Sequence, residues 1–296
     1  MIIFITGETG FVGSHLSKYL EKLGLTVLNS KSGINNSNKV NENIRNRIDI
    51  LNIEKLYSLE GNIDAIVHLA SKTSITNSIT NPYETYYSNI VGTLNVLDFA
   101  KHKKIEKLIN ISTYVYGKPA YLPIDEHHPI KPHSPYNGSK VLAENLCENY
   151  SEYFGLNVVT LRPFYVYGTS LKKSSFISSV IQQIDTQGKV LLSQRNTKRD
   201  FLFIDDFVNL IFKILNNFPS GYNTYNVGSG ESHSLEEVVK IIEIIIGRKI
   251  EVQYDKSIRP NDILEMVADI TRVSNEFEWK PKISLEEGLA CVLNNR

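Results

Sequence analysis

The sequence predicts an α/β fold: a doubly wound parallel sheet followed by a smaller C-terminal α/β subdomain. Three observations predict it. Strand-like and helix-like stretches alternate over the first two-thirds of the chain, which requires a parallel sheet with right-handed crossovers and helices on both faces. The first strand, 2–6, is continuously apolar, as a strand covered on both faces should be. The run Gly7-Glu8-Thr9-Gly10-Phe11-Val12-Gly13 follows it directly and opens a helix, which places a binding crevice at the carboxyl ends of the strands.

Each element has its own signal. Val12, Leu16, Leu20 and Leu23 recur at helical spacing, and Gly24 supplies the stop. Residues 26–28 and 65–70 read as strands. Residues 83–100 read as one long helix with Pro82 just ahead, and 108–111 as a strand. Ser134-Pro135 opens a helix that runs to Phe154 and ends at Gly155, and 157–161 is a further strand. After Pro163 the pattern loosens into short pieces. A helix is expected over 205–216, an amphipathic helix over 234–246 behind a Ser234/Glu237 capping box, and a last helix from Ser284. The domain reading is 1–163 for the large domain, with 201–216 returning to it, and 164–296 mainly for the smaller one.

Composition narrows the function classes. The 296 residues carry 32 Lys+Arg against 32 Asp+Glu, so no electrostatic argument favours nucleic acid or an anionic membrane as partner. The longest apolar stretch, 238–246, is interrupted by Lys240 and Glu243 and is too short to span a bilayer. The apolar start lacks a basic n-region and runs into glycines, so it reads as a strand and not a signal peptide. Cys147 and Cys291 make no disulfide framework and are expected as buried thiols in a reducing compartment; cytoplasm is the expected location, and no metal site is expected.

The glycine run is a dinucleotide signal. Gly7 permits the tight turn, Gly10 lets the backbone approach a pyrophosphate, and Gly13 lets the helix pack on the sheet. The amino terminus of that helix, from Thr9 through Phe11 and Val12, then faces the phosphates. This is a Rossmann-like arrangement. The end of the second strand normally carries an acidic residue for the ribose of NAD. Here it reads Asn29-Ser30-Lys31, which favours NADP over NAD. Leu69, Ala70 and Ser71 end a strand beside the same crevice.

A second group carries proton chemistry. Tyr136 and Lys140 are four apart and share a helix face. An adjacent ammonium lowers the pKa of a tyrosine, which can then act as general acid or base; the lysine can also hold the nicotinamide ribose. Ser112, at the end of a strand, can hydrogen-bond the reacting oxygen of a substrate, and Thr113 can do so if the turn shifts by one residue.

With these motifs stand His68-Leu69-Ala70, Asn89 with Gly92-Thr93, Ile111 to Gly117, Leu161 to Phe164, Lys198-Arg199-Asp200-Phe201, Asn226-Val227-Gly228 and Arg259-Pro260-Asn261-Asp262. As a set they resemble the extended short-chain dehydrogenase/reductase family, in its nucleotide-sugar epimerase/dehydratase branch. The resemblance implies a nucleoside-diphosphate sugar as substrate, with Arg199, Arg259 and Asp262 on the nucleotide. It also implies Asp49-Ile50 at the adenine, Asn89 and Pro163 along the cofactor, and a homodimer formed through helices 83–100 and 136–153. Tyr86, Tyr87, Val91, Leu94, Leu142 and Leu146 are candidates there for dimer contact or for core.

Two departures matter. Dehydratases and decarboxylases of this branch place a carboxylate after the catalytic hydroxyl, where this chain has Tyr114-Val115, so elimination of water or carbon dioxide is not expected. Many relatives have Asn where this chain has Tyr165, which puts the usual nucleotide contact there in doubt. The expected activity is hydride chemistry at the sugar C4: an NADPH-dependent reductase of a 4-keto sugar, or else a 4-epimerase with tightly bound NAD. A cofactor-sensing protein without turnover is the reading from another class, and the presence of both Tyr136 and Lys140 argues against it.

Overall fold

The computed structural model describes residues 1–29, 33–34, 40–41, 48–170, 175–192, 196–254 and 263–295, with side chains except at 29, 33–34 and 40–41. The side chain of Asn29, and Ser30, Lys31, Arg259 and Asp262, therefore lie outside the described residues.

Six strands form the main sheet: β1 (Ile2–Thr6), β2 (Thr26–Asn29), β3 (Ala65–His68), β4 (Lys107–Ile111), β5 (Asn157–Pro163) and β6 (Tyr222–Val227). Their order is β6-β5-β4-β3-β1-β2, and the pairings from β2 through β5 are parallel. The chain thus starts in the sheet interior and reverses winding direction after β2, which opens a crevice at the carboxyl ends of β1 and β3. β1 and β3 are buried almost throughout, which accounts for their apolar sequences up to the terminal Thr6 and His68.

Three helices place the site. α1 (Phe11–Lys22) lays Leu16 and Leu20 on the sheet with no exposure, and α2 (Gly92–His102) buries Val96, Leu97, Phe99 and Ala100. α3 (Pro135–Phe154) starts at Ser134, whose hydroxyl caps the Asn137 N–H, with Pro135 in the first turn, and ends at Gly155 in the left-handed region at φ 70°. The core below the sheet joins Phe4, Ile66, Val96, Phe99, Leu108 and Val158, with the Phe4 and Phe99 rings edge-on at 5.9 Å. Burying such side chains contributes about 1.5–3 kcal/mol each.

The expected single helix over 83–100 is not continuous. Pro82–Tyr86 is α-helical, Tyr87–Val91 is a π-helical turn, and α2 begins only at Gly92. The cause is tertiary. Asn89 is held by its side chain to both backbone groups of Lys72 and to Ser139, while the Thr93 hydroxyl occupies its carbonyl. Widening the turn accommodates these bonds. β3 likewise stops at His68, two residues earlier than expected: the Leu69 N–H is shared between the Thr6 carbonyl and hydroxyl, and the Ala70 N–H goes to that hydroxyl.

The chain divides into two compact units: 1–115, 130–162 and 210–225 in the first, and 116–129, 163–209 and 226–296 in the second. The segment 116–129 thus belongs with the second unit, and the helix Ile204–Asn216 is divided, its last turns in the first. Within the second unit Tyr165–Tyr167 pairs with Phe201–Phe203, and Lys189–Leu192 pairs with Glu251–Tyr254, both in parallel. Trp279 is buried and its indole N–H donates to the Asp206 carbonyl at 3.1 Å. Capping boxes start the helices Leu235–Ile246 (Ser234/Glu237) and Leu285–Asn294 (Ser284/Glu287). Among the described residues no helix is long and apolar enough to cross a membrane.

Candidate active site

The first unit builds the glycine turn from sterics. Gly7 has φ 76°, and a Cβ there would lie 2.8 Å from the Ala70 nitrogen. A Cβ on Gly13 would meet the Glu8 Cα at 2.6 Å. Neither position admits another residue without displacing backbone. Gly10 N-caps α1 with no side-chain hydrogen bond, so an anion is the natural partner for the first helical N–H groups. A cavity of about 330 Å³ opens against this turn, lined by Phe4, Thr6, Gly7, Glu8 and Thr9 together with Ile48, Asp49, Ile50 and Ala70. A turn that excludes side chains, an uncapped helix start and this cavity fit a dinucleotide. Gly7, Thr9, Asp49, Ile50 and Ala70, all expected at the cofactor, are among its lining residues.

His68 fixes the strand ends around the turn. The Thr93 hydroxyl donates to the Asn89 carbonyl at 2.7 Å, so it accepts from His68 Nε2–H at 3.1 Å. His68 Nδ1 then accepts from the Thr6 hydroxyl at 2.8 Å, and Thr6 Oγ1 accepts from the N–H groups of Leu69 and Ala70. This directional chain defines the tautomer. Burial, with the Lys140 ammonium second, lowers the His68 pKa to about 3, so the ring stays neutral and acts as a structural bridge.

The candidate proton-transfer group lies on the buried face of α3. Tyr136, Lys140 and Glu144 follow at intervals of four and are all buried. The Tyr136 hydroxyl is hydrogen-bonded with the Thr113 side chain. Ser112, one residue earlier, faces elsewhere: its hydroxyl donates to Glu144, and the same carboxylate receives Arg162 Nε at 3.2 Å on each oxygen and Nη2 at 2.7 Å. Consecutive residues at a strand end point to opposite sides, so anchoring Ser112 on Glu144 delivers Thr113 to Tyr136. Asn137 holds the turn by donating to the Tyr114 carbonyl at 2.7 Å.

The electrostatics differ from expectation. Burial raises the Tyr136 pKa above its ordinary value, and the opposing influence is the Thr113 hydrogen bond; the expected lowering by Lys140 is not what sets it. Burial lowers Lys140 to about 8, partly offset by Cys147 and Glu144. Desolvation thus weakens the hold of Lys140 on its proton. Cys147 sits on the same face, fully buried, its thiol pushed up by burial and by Glu144, which makes it unreactive.

In the second unit, Tyr165 and Arg199 are fastened to the fold. The Tyr165 hydroxyl accepts the Phe176 N–H at 2.7 Å at the start of the helix Phe176–Gln187, and Arg199 lies near enough to oppose the burial-driven rise of its pKa. Arg199 Nη1 donates to the carbonyls of Lys198 and Ile263 at 2.8 Å each. Beside it Asp200 is fully buried and accepts from Ser229, Gly230 and Ala268, which folds the loop after β6.

Spacing drew attention to Gly7, Gly10, Gly13, Tyr136 and Lys140: the glycines form the strand-to-helix turn, and Tyr136 and Lys140 share a buried face of α3. Glu144, Arg162, His68 and Asp200 were not singled out as site residues. One signal was present for Glu144, which continues the Tyr136–Lys140 spacing by one more turn. His68 stood as the one polar residue in an apolar strand.

The model of the NAD dependent epimerase/dehydratase family matches residues 3–228. The chain is 31% identical to a UDP-glucuronate 4-epimerase of Thermodesulfobacterium geofontis, over 98% of this chain and 94% of that protein. It is 28% identical to a GDP-6-deoxy-D-mannose reductase of Pseudomonas aeruginosa, over 99% of this chain and 96% of that one. Among solved structures it is similar to RMD from Pseudomonas aeruginosa complexed with NADPH, with a TM-score of 0.89, 28% identity and coverage of 99% and 98% of the two chains. The family match spans the parallel sheet, the glycine turn and the Tyr136–Lys140 helix together, and the chain is an enzyme of the NAD dependent epimerase/dehydratase family, within the extended short-chain dehydrogenases/reductases.

Proposed function

We propose that this enzyme carries out hydride chemistry at C4 of a nucleoside-diphosphate sugar. The observation that carries the reading is the hydrogen bond between Thr113 and Tyr136, buried on the helix face that also carries Lys140. Two hydroxyls held together can grip one oxygen of a substrate. In this reading Tyr136 gives or takes the proton on that oxygen, Thr113 orients it, and the Lys140 ammonium favours the tyrosinate once the tyrosine ionises. Ser112 acts through Glu144 as the group that sets the position of Thr113. Gly7, Thr9, Gly10, Phe11, Val12 and Gly13 would hold the pyrophosphate, Asp49 and Ile50 the adenine, and Lys140 the nicotinamide ribose. When bound, the nicotinamide supplies or accepts the hydride at the reacting carbon. Tyr114-Val115 offers no carboxylate for elimination, so the sugar skeleton stays intact.

Net reduction of a 4-keto sugar by NADPH is the first outcome. The absence of an acidic residue at Asn29-Ser30-Lys31 and the likeness to an NADPH-bound structure support it. Epimerisation at C4 with retained NAD is the second, supported by the likeness to a 4-epimerase. Tyr165, Arg199, Arg259 and Asp262 are the groups proposed for the nucleotide. We also propose a homodimer: Tyr87, Leu94 and Leu142 are 45%, 37% and 45% exposed, whereas Leu146 packs on the core.

One assay separates the outcomes. The purified protein is incubated with NADPH and a 4-keto-6-deoxy nucleotide sugar while the absorbance of the reduced nicotinamide is followed. Steady consumption supports the reductase. Interconversion of a 4-hydroxy nucleotide sugar with its 4-epimer, without consumption, supports the epimerase. Failure of both reactions across UDP-, dTDP-, GDP- and CDP-sugars overturns the C4 assignment.

A further inference from the structure

We infer that His68 is a positioning residue that ties the glycine turn to the first turn of α3, so that one buried series of hydrogen bonds sets both the dinucleotide site and the place of Tyr136. The inference rests on the proposed reading of the glycine turn as a dinucleotide site and of Tyr136 as the proton-transfer group. The series starts at Ala70, whose nitrogen is the atom that a Cβ on Gly7 would strike. The Ala70 N–H donates to Thr6 Oγ1 at 3.2 Å, the Thr6 hydroxyl donates to His68 Nδ1 at 2.8 Å, and His68 Nε2–H donates to Thr93 Oγ1 at 3.1 Å. The Thr93 hydroxyl donates to the Asn89 carbonyl at 2.7 Å. The Asn89 side-chain amide then donates to Ser139 Oγ at 2.8 Å, and the Ser139 hydroxyl donates to the carbonyl of Tyr136 itself at 2.7 Å. Thr6, His68, Thr93, Asn89 and Ser139 are each no more than 2% exposed.

The series runs in a single direction. Each hydroxyl proton has one acceptor in it. The Asn89 amide cannot be flipped, because its oxygen accepts the Lys72 N–H at 2.7 Å and its nitrogen donates to the Lys72 carbonyl at 3.0 Å. Turning any member therefore leaves a buried polar group unpaired. His68 is the link between the two halves. A neutral imidazole presents an acceptor on one ring nitrogen and a donor on the other, and burial keeps this ring neutral. A protonated ring would point an N–H at the Thr6 oxygen, which already accepts from Leu69 and Ala70. The connection matters because groups held at the turn and on α3 must act on one substrate, with reacting atoms about 3–3.5 Å apart.

The test reads the two ends separately and without turnover. Full-length protein carrying isotope-labelled tyrosine is observed by NMR at Cζ, and the Tyr136 signal is the one missing from Tyr136→Phe. NAD⁺ and NADP⁺ are titrated into the same samples by calorimetry. Folded His68→Leu is expected to shift the Tyr136 signal and to bind the dinucleotide that the wild type prefers about tenfold more weakly, about 1.4 kcal/mol. His68→Gln, whose amide carries an acceptor and a donor on one planar group, is expected to recover most of both. Ser139→Ala, which cuts the series beyond Asn89, is expected to shift the Tyr136 signal and leave dinucleotide affinity unchanged; it decides the tie to α3 where His68→Leu does not fold. An unmoved Tyr136 signal in Ser139→Ala or in folded His68→Leu overturns that tie. Unchanged affinity in folded His68→Leu overturns the tie to the turn. His68→Gln behaving as folded His68→Leu makes the role one of ring packing and overturns the inference. The Tyr136 signal is read in the free protein, so failure of the C4 reaction leaves this test standing. Failure of the wild type to bind either dinucleotide overturns the dinucleotide reading, and the inference with it.

Discussion

Thr113 and Ser112 are adjacent hydroxyls with different partners, and exchanging them one at a time tests the site. Thr113→Val keeps the shape and removes the hydroxyl bonded to Tyr136. A donor or orienting hydroxyl at a reacting oxygen is worth about 10²–10³ in kcat when lost, about 2.7–4 kcal/mol of barrier. Ser112→Ala removes one donor to Glu144, a carboxylate that Arg162 still holds through three contacts of 2.7–3.2 Å. Loss of a hydrogen bond to a charged group costs about 1.5–3 kcal/mol of stability. The loosened strand end should lower kcat about three- to tenfold, roughly 0.6–1.4 kcal/mol of barrier. The readouts are kcat and KM for the nucleotide sugar beside urea unfolding of the same samples. Thr113→Val should lose about a hundredfold or more in kcat at near wild-type stability, and Ser112→Ala should lose stability and no more than about tenfold in kcat. The reverse pattern, a hundredfold loss in stable Ser112→Ala with Thr113→Val nearly unaffected, would refute the assignment.

Further predictions follow from the same geometry. Tyr136→Phe should reduce kcat by about 10²–10⁴ while nicotinamide dinucleotide binding by calorimetry is unchanged; substantial activity would remove Tyr136 from the proton step. Lys140 is held at about 8, below its unfolded value, so its burial costs stability at neutral pH, and the cost is relieved as pH rises from about 8 to about 10.5. Lys140→Met should therefore be more stable than wild type at pH 7, by an amount of order 3 kcal/mol, with the difference shrinking by pH 10 in parallel thermal melts; a pH-independent difference contradicts this. Arg162→Met leaves Glu144 buried without its cation and should cost about 3–5 kcal/mol in urea unfolding, a loss that Glu144→Leu in the same chain should largely reverse. Gly13→Ala drives a Cβ toward the Glu8 backbone and should cost about 1–3 kcal/mol together with dinucleotide affinity.

The parts legible in the sequence are those written within one local segment. The glycine turn is a strand, a turn and a helix start in consecutive residues, and its three glycines meet steric walls made by Ala70, Gly7 and Glu8. Tyr136 and Lys140 are four apart on one helix, and the signals that bound that helix, Ser134, Pro135 and Gly155, are local as well. The π turn at Tyr87–Val91 was not legible, because the bonds that widen it come from Lys72 and Ser139, seventeen and fifty residues from Asn89. The choice between Ser112 and Thr113 was open for the same reason: a strand end can be read in two registers until Glu144 and Arg162 fix one.

By itself the sequence determined the parallel sheet, the position of the glycine turn and the shared helix face of Tyr136 and Lys140. Each follows from periodicity or from a steric requirement met by neighbours along the chain. Tertiary structure alone decided which hydroxyl meets Tyr136, that His68 is neutral, that burial raises Tyr136 and lowers Lys140, and that Glu8 lines the cavity. Those properties depend on desolvation and on partners contributed by distant segments, and neither exists until the chain has folded.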